Sequence, residues 1–195
     1  MHKHVAVPHY HRYSKTRKLK SMIELHERTV INAPVERCFD LARSIEVHLL
    51  GNTHWGEQAT AGTRTGLIGL GESVTWRARH FGIRQHLTSA ITAFDPPGYF
   101  QDTMQRGAFR SMQHDHHFRA LPSTDGPLTE MLDDFRFSAP LGPLGWLAER
   151  LVLRRYMQAL LTERNAIIKQ VAESDEWRQY LPHPTSGPRP GNITA

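Results

Sequence analysis

From Glu72 to Phe137 apolar and polar residues alternate with a period of two, the mark of strands that bury one face. The stretch GAFRSMQHDHHF, residues 107–118, sets the pattern. Met112, His114, His116 and Phe118 share one face of a predicted strand, and Ser111, Gln113, Asp115 and His117 share the other. The face that carries Met and Phe is read as the inner one. A one-residue shift at a bulge near Gly107 would instead turn His114 and His116 outward and bring His117 in. Before it, ESVTWRARHF groups Val74, Trp76, Ala78 and His80, with the turn at Gly82. IRQHLTSAITAF groups Leu87, Ser89, Ile91 and Ala93, and YFQDTMQR groups Phe100, Asp102 and Met104. After it, LTEMLDDFRFSA groups Thr129, Met131, Asp133, Phe135 and Phe137. Turn signals at Asp95-Pro96-Pro97-Gly98 and at residues 122–127 separate these runs, with no helical period between them, so the prediction is an antiparallel meander.

The ends of the chain read differently. Residues 22–32 predict a strand with Ile23, Leu25, Glu27, Thr29 and Ile31 on one side. Pro34 then opens a helix carrying Val35, Cys38, Phe39 and Leu41/Ala42. A second short helix follows at 44–50, with Ser44 as its N-cap and Gly51-Asn52 as its end. Residues 51–71 read as a Gly/Thr-rich connector. The glycines of GLIGLG have the wrong spacing for a dinucleotide-binding turn, so this piece implies no nucleotide cofactor. Pro140-Leu141-Gly142-Pro143 stops the last strand. A long amphipathic helix is predicted from Leu144 toward Ala172, with Trp146, Leu147, Leu151, Leu153, Met157, Leu160, Leu161, Ile168 and Val171 as its apolar positions. At ~1.5 Å per residue it would run for roughly 40 Å.

Composition changes the picture mainly at the termini. The net charge of +5 is a property of the first residues: positions 1–20 hold six of the 24 Lys/Arg and no acid, leaving 18 basic against 19 acidic residues elsewhere. Residues 1–21 are therefore read as a basic, disordered arm suited to peripheral contact with an anionic membrane, residues 22–175 as one domain, and residues 176–195 as a Pro/Gly-rich tail. The near-neutral body argues against specific nucleic-acid binding. A single cysteine, Cys38, excludes an internal disulfide framework. No apolar run reaches the ~18 residues of a spanning helix, so the expected location is cytoplasmic.

The order of elements and several residue runs resemble the START-like helix-grip (SRPBCC) superfamily, in its polyketide cyclase/dehydrase-like or coenzyme-Q-binding-like branch. The runs are Val30-Ile31-Asn32-Ala33-Pro34 with the helix after it, Gly71–Ala78, Ile91–Pro97, Phe100-Gln101-Asp102, Gly107-Ala108-Phe109, His114–Phe118, Thr129–Asp133 and Pro140–Gly145. The resemblance implies an α+β fold in which a curved antiparallel sheet wraps a long C-terminal helix, with two short helices after the first strand. It also implies an elongated apolar cavity between sheet and helix. Members bind lipids, quinones, polyketides or hormones, and a minority catalyse cyclisation or dehydration. No catalytic motif of such enzymes matches this chain, so no catalytic residue is assigned.

The inner faces then nominate a ligand-binding set: Trp76, His80, Asp102, Met104, His114, His116, Met131, Asp133 and Phe135, with Met157 from the helix. If the strands pair in sequence order, Asp102 precedes the two histidines and Asp133 follows them. Three readings of this constellation stand. It is a buried His–Asp network that satisfies itself, a polar anchor for the head group of an apolar ligand, or an acid/base pair for a cyclase or dehydratase. A metal bound by His-x-His with Asp102 or Asp133 is allowed by geometry but matches no motif, so no metal is assigned. The expected function is binding or transfer of a hydrophobic small molecule of lipid, quinone or polyketide type. The alternatives are a cyclase/dehydratase-type lyase and a membrane-associated interaction protein acting through its basic arm.

Overall fold

The computed structural model describes residues 22–53, 56–138 and 152–181. Seven strands form one antiparallel sheet: β1 (Ile23–Ile31), β2 (Gln58–Gly62), β3 (Ser73–His80), β4 (Ile83–Asp95), β5 (Tyr99–Arg106), β6 (Ser111–Leu121) and β7 (Leu128–Ser138). Their order is β1-β7-β6-β5-β4-β3-β2. The meander therefore holds from β2 to β7, and β1 pairs beside β7. Helices α1 (Val35–Ala42) and α2 (Ile45–Gly51) follow β1, and α3 (Arg154–Glu173) packs against β1, α1 and α2. This is the helix-grip architecture expected from the sequence. Among the described residues no helix is long and apolar enough to cross a membrane.

Local chemistry explains the joints. Pro34 is extended just ahead of α1. Ser44 caps α2 by accepting from the Val47 N–H, and the Glu46 carboxylate accepts from the Gly66 N–H, tying the helix start to the connector. A two-residue turn joins β3 to β4 with Phe81 and Gly82 both at positive φ, 50° and 76°. Gly82 takes this conformation at little cost, whereas Phe81 is strained in it.

Alternation assigns the inner faces correctly on β1, β3, β6 and β7. On β6, Met112, His114, His116 and Phe118 are buried, while His117 is exposed and stacks on Tyr99. Sequence reading and structure differ in three places. The connector 51–71 contains β2, whose residues QATAG have too little apolar character to show a strand period. On β4 a register shift between Ile91 and Ala93 reverses the parity, so Phe94, not Ala93, reaches the core and meets Phe39 at 5.4 Å. The expected tail from residue 176 begins with ordered chain: a 3-10 helix at Asp175–Gln179 places Trp177 under the Arg37 guanidinium, and Leu181 is buried. The arm 1–21, residues 182–195 and the start of the expected long helix, including Trp146, Leu147 and Leu151, lie outside the described residues.

Candidate functional site

The inner face of the sheet carries two apolar clusters. One gathers Phe39, Phe100, Phe118, Met131, Ile168 and Val171. The other gathers Leu25, Met112, Phe135, Phe137 and Leu161. On adjacent strands a polar belt runs between them. Asp102 on β5 lies opposite His114 on β6, His116 on β6 lies opposite Asp133 on β7, and Asp133 lies opposite Glu27 on β1.

The belt is closely hydrogen-bonded. Asp133 Oδ1 sits 2.9 Å from His114 Nε2 and 2.7 Å from His116 Nδ1. The other nitrogen of His116, Nε2, is 3.1 Å from Asp102 Oδ2. Helix α3 completes the set: Asn165 Nδ2 donates to Asp133 Oδ2 at 2.7 Å, and Arg164 donates to Asp133 Oδ1 at 3.4 Å and to the Ala42 carbonyl at 3.0 Å. The His116 ring stacks on Phe100 at 4.1 Å, and Phe135 meets His114 edge-on. Every member is held from two sides, so the rings have one geometry available.

The electrostatics follow from burial and partners. Burial alone would raise the Asp133 pKa, but hydrogen bonds from His114 and His116 outweigh it and hold the carboxyl well below its usual range. Burial also opposes ionisation of Asp102, and the His116 hydrogen bond with the neighbouring positive charges overcomes it. Burial pushes His114 down to about 4, helped by the charge of His116 and opposed by the two carboxylates. Two carboxylates against one guanidinium leave this buried cluster with an excess of negative charge whenever both rings are neutral.

A cavity of about 430 Å³ opens beside the belt, between sheet, α2 and α3. Of the nominated residues, Trp76, His80, Asp102, His114, His116, Phe135 and Met157 line it. Three do not. Met131 is fully buried in the cluster built around Phe39, because α1 plugs that end of the sheet. Asp133 is fully buried beneath the two imidazoles and α3. Met104 is folded over Gly107, where a Cβ would come within 3.0 Å of its sulfur.

The wall also includes residues that the strand pattern did not nominate. Arg164 stands beside the belt, His48 stacks on Trp76 at 4.0 Å and pairs with Glu57 at 3.0 Å, and Tyr156 meets His80 Nδ1 at 2.5 Å. Burial, opposed by the Glu57 charge, lowers the His80 pKa. One signal for the α3 anchor was present in the sequence. Asn165 falls at helical spacing among the buried positions Leu161, Ile168 and Ala172, where a polar residue needs a partner.

The model of the family described as polyketide cyclase / dehydrase and lipid transport matches residues 22–173. No curated protein matches the chain. Among solved structures, TTHA0849 from Thermus thermophilus superposes with a TM-score of 0.59 at 18% identity, covering 78% of this chain and 100% of that one. A START superfamily protein from Mycobacterium smegmatis gives 0.55 at 12% identity, over 77% and 97% of the two chains. Ginseng major latex-like protein 151 from Panax ginseng gives 0.51 at 15% identity, over 78% and 99%. With the family model spanning nearly the whole described body, the chain belongs to the polyketide cyclase/dehydrase and lipid transport family of START-like helix-grip proteins, whose members at the general level bind hydrophobic ligands.

Proposed function

We propose that this protein binds one molecule of a lipid, quinone or polyketide in the cavity between sheet and α3, as a carrier. The observation that supports the reading is the composition of the wall. Trp76, Ile91, Phe100, Phe135 and Leu161 offer an apolar bed, with polar groups at the belt and in a second group that includes His48, Glu57, His80 and Tyr156. Small-molecule sites are built this way, with apolar surface for affinity and a few fixed polar groups for orientation. The ligand's apolar body lies along the bed, and its carbonyl or hydroxyl meets His114, His116 and Arg164.

Native mass spectrometry of freshly purified protein, followed by organic extraction, tests this. The expected result is one apolar adduct per chain, displaced by an environment-sensitive hydrophobic dye. Trp76→Ala should weaken dye binding by about tenfold, the loss expected from removing a large apolar contact. An adduct-free protein that also leaves the dye unbound overturns the carrier reading. The basic segment 1–21 supports accompanying contact with an anionic membrane. Sedimentation with anionic vesicles should be strong at low salt and fall as salt rises.

A further inference from the structure

We propose that Asp102, His114 and His116 form a binding site for one divalent transition-metal ion, with Asp133 as the carboxylate that orients both imidazoles from behind. The inference goes beyond the carrier reading and does not depend on what the cavity holds.

The geometry carries it. Asp102 Oδ2 lies 3.1 Å from His116 Nε2 and 3.8 Å from His114 Nδ1, and one ligand atom from each residue falls within 4.8 Å of the others. Metal–ligand bonds of about 2.0–2.2 Å set neighbouring donor atoms roughly 3–3.5 Å apart, so closing the widest pair by at most about 1.3–1.8 Å, shared between two side chains, brings the three to one ion. The ligands also sit on rigid supports. His114 and His116 are two positions apart on one face of β6, and Asp102 is directly opposite His114 on β5.

The far side of each ring argues more strongly. His114 Nε2 and His116 Nδ1 both lie on Asp133 Oδ1. A carboxylate only accepts, so each of these nitrogens carries its hydrogen toward Asp133. In the neutral rings the remaining nitrogens, His114 Nδ1 and His116 Nε2, then present lone pairs toward Asp102. In that tautomer three acceptors converge with no donor among them, beside two carboxylates and one guanidinium. A cation at their centre resolves this convergence. Asp133 is itself held by Asn165 and Arg164, the kind of outer support that fixes the tautomer and aim of metal-bound histidines.

The donor set identifies the class of ion. Two imidazoles and one carboxylate suit Zn²⁺, Fe²⁺, Co²⁺ or Mn²⁺ rather than the all-oxygen preferences of Ca²⁺ and Mg²⁺. Asp102, His114 and His116 all line the cavity while Asp133 does not. The remaining coordination positions therefore face the cavity, where an oxygen of a bound molecule or water completes them.

The test is a titration of the full-length, chelator-treated protein with Co²⁺, followed by visible ligand-field absorption and calorimetry, with Zn²⁺ as competitor. One equivalent should bind and be displaced by Zn²⁺. Asp102→Asn should weaken binding by at least tenfold, and Asp133→Asn, which touches no metal, by about 10–100-fold. His116 is buried, and its replacement risks the fold, so the wild-type titration and the partly accessible Asp102 carry the test. A variant with His2, His4, His9 and His11 all changed to Ala separates the N-terminal histidines. It should keep the absorption band and the stoichiometry. If wild type takes up no Co²⁺, the proposal fails. It fails equally if binding is lost with the four N-terminal histidines and survives Asp102→Asn.

Discussion

Asp115 sits on the convex side of β6, away from the cavity, and is nearly as buried as His114 on the other face. Its carboxylate accepts from Tyr99 at 2.6 Å, Gln101 at 2.7 Å, Gln113 at 2.9 Å and Arg136 at 2.8 Å. Burial alone would raise its pKa, but the Gln101, Tyr99 and Gln113 hydrogen bonds and the Arg136 charge pull it below the usual value. A carboxyl whose pKa is lower in the folded state stabilises the protein above its unfolded pKa of about 3.9, and that contribution fades as pH falls through the folded value. Asp115→Asn should therefore cost about 1–2 kcal/mol near neutrality and flatten the acid limb of stability below about pH 4. Denaturant melts of both proteins at several pH values check this; parallel curves would show that the network contributes nothing through its charge. Cys38 gives a simpler expectation. Burial raises its thiol to about 11, so a thiol reagent should label it only on unfolding.

At the scale of elements, α3 is joined to the sheet through Asn165 and Asp133. Asn165→Ala removes the one described donor to Asp133 Oδ2 and strands part of a buried carboxylate, at a cost of about 2–3 kcal/mol. Equilibrium unfolding in denaturant measures it, and a change within ±0.5 kcal/mol, the usual range of a surface substitution, would sink this account of the joint. This joint also marks the limit of what the sequence discloses. Alternation along β6 and β7 is enough to aim His114, His116 and Asp133 inward, because each residue's face is decided by parity alone. Parity says nothing about depth. Met131 and Asp133 share a face with Phe135, yet only Phe135 reaches the cavity, since α1 plugs one end and α3 covers the middle. Bulges break parity outright, which is how Phe94 displaced Ala93. Arg164 and Asn165 come from the far end of the chain, and only tertiary packing brings them to Asp133.

For the whole molecule, burial along α3 is uneven. From Leu161 onward Leu161, Asn165, Ile168, Val171 and Ala172 are buried, whereas residues 152–160 include no fully buried position. Amides at 165–172 should exchange with solvent on the order of 100-fold more slowly than those at 154–160, as expected where few buried contacts must break for local opening. Uniform exchange along the helix would contradict this division. The consequence concerns how a molecule gets in. Lifting the helix at Asn165 and Arg164 would take from buried Asp133 its donors on α3, leaving only His114 and His116 on one of its oxygens, so that half serves as a fulcrum. The other half is the lever. Its Tyr156 packs on Phe81, a residue that is both exposed and part of the cavity wall. Entry is therefore expected between the β3–β4 hairpin tip and the start of α3, where the fewest buried contacts have to break. A cross-link placed there would shut a guest in or out while leaving the grip of the sheet intact.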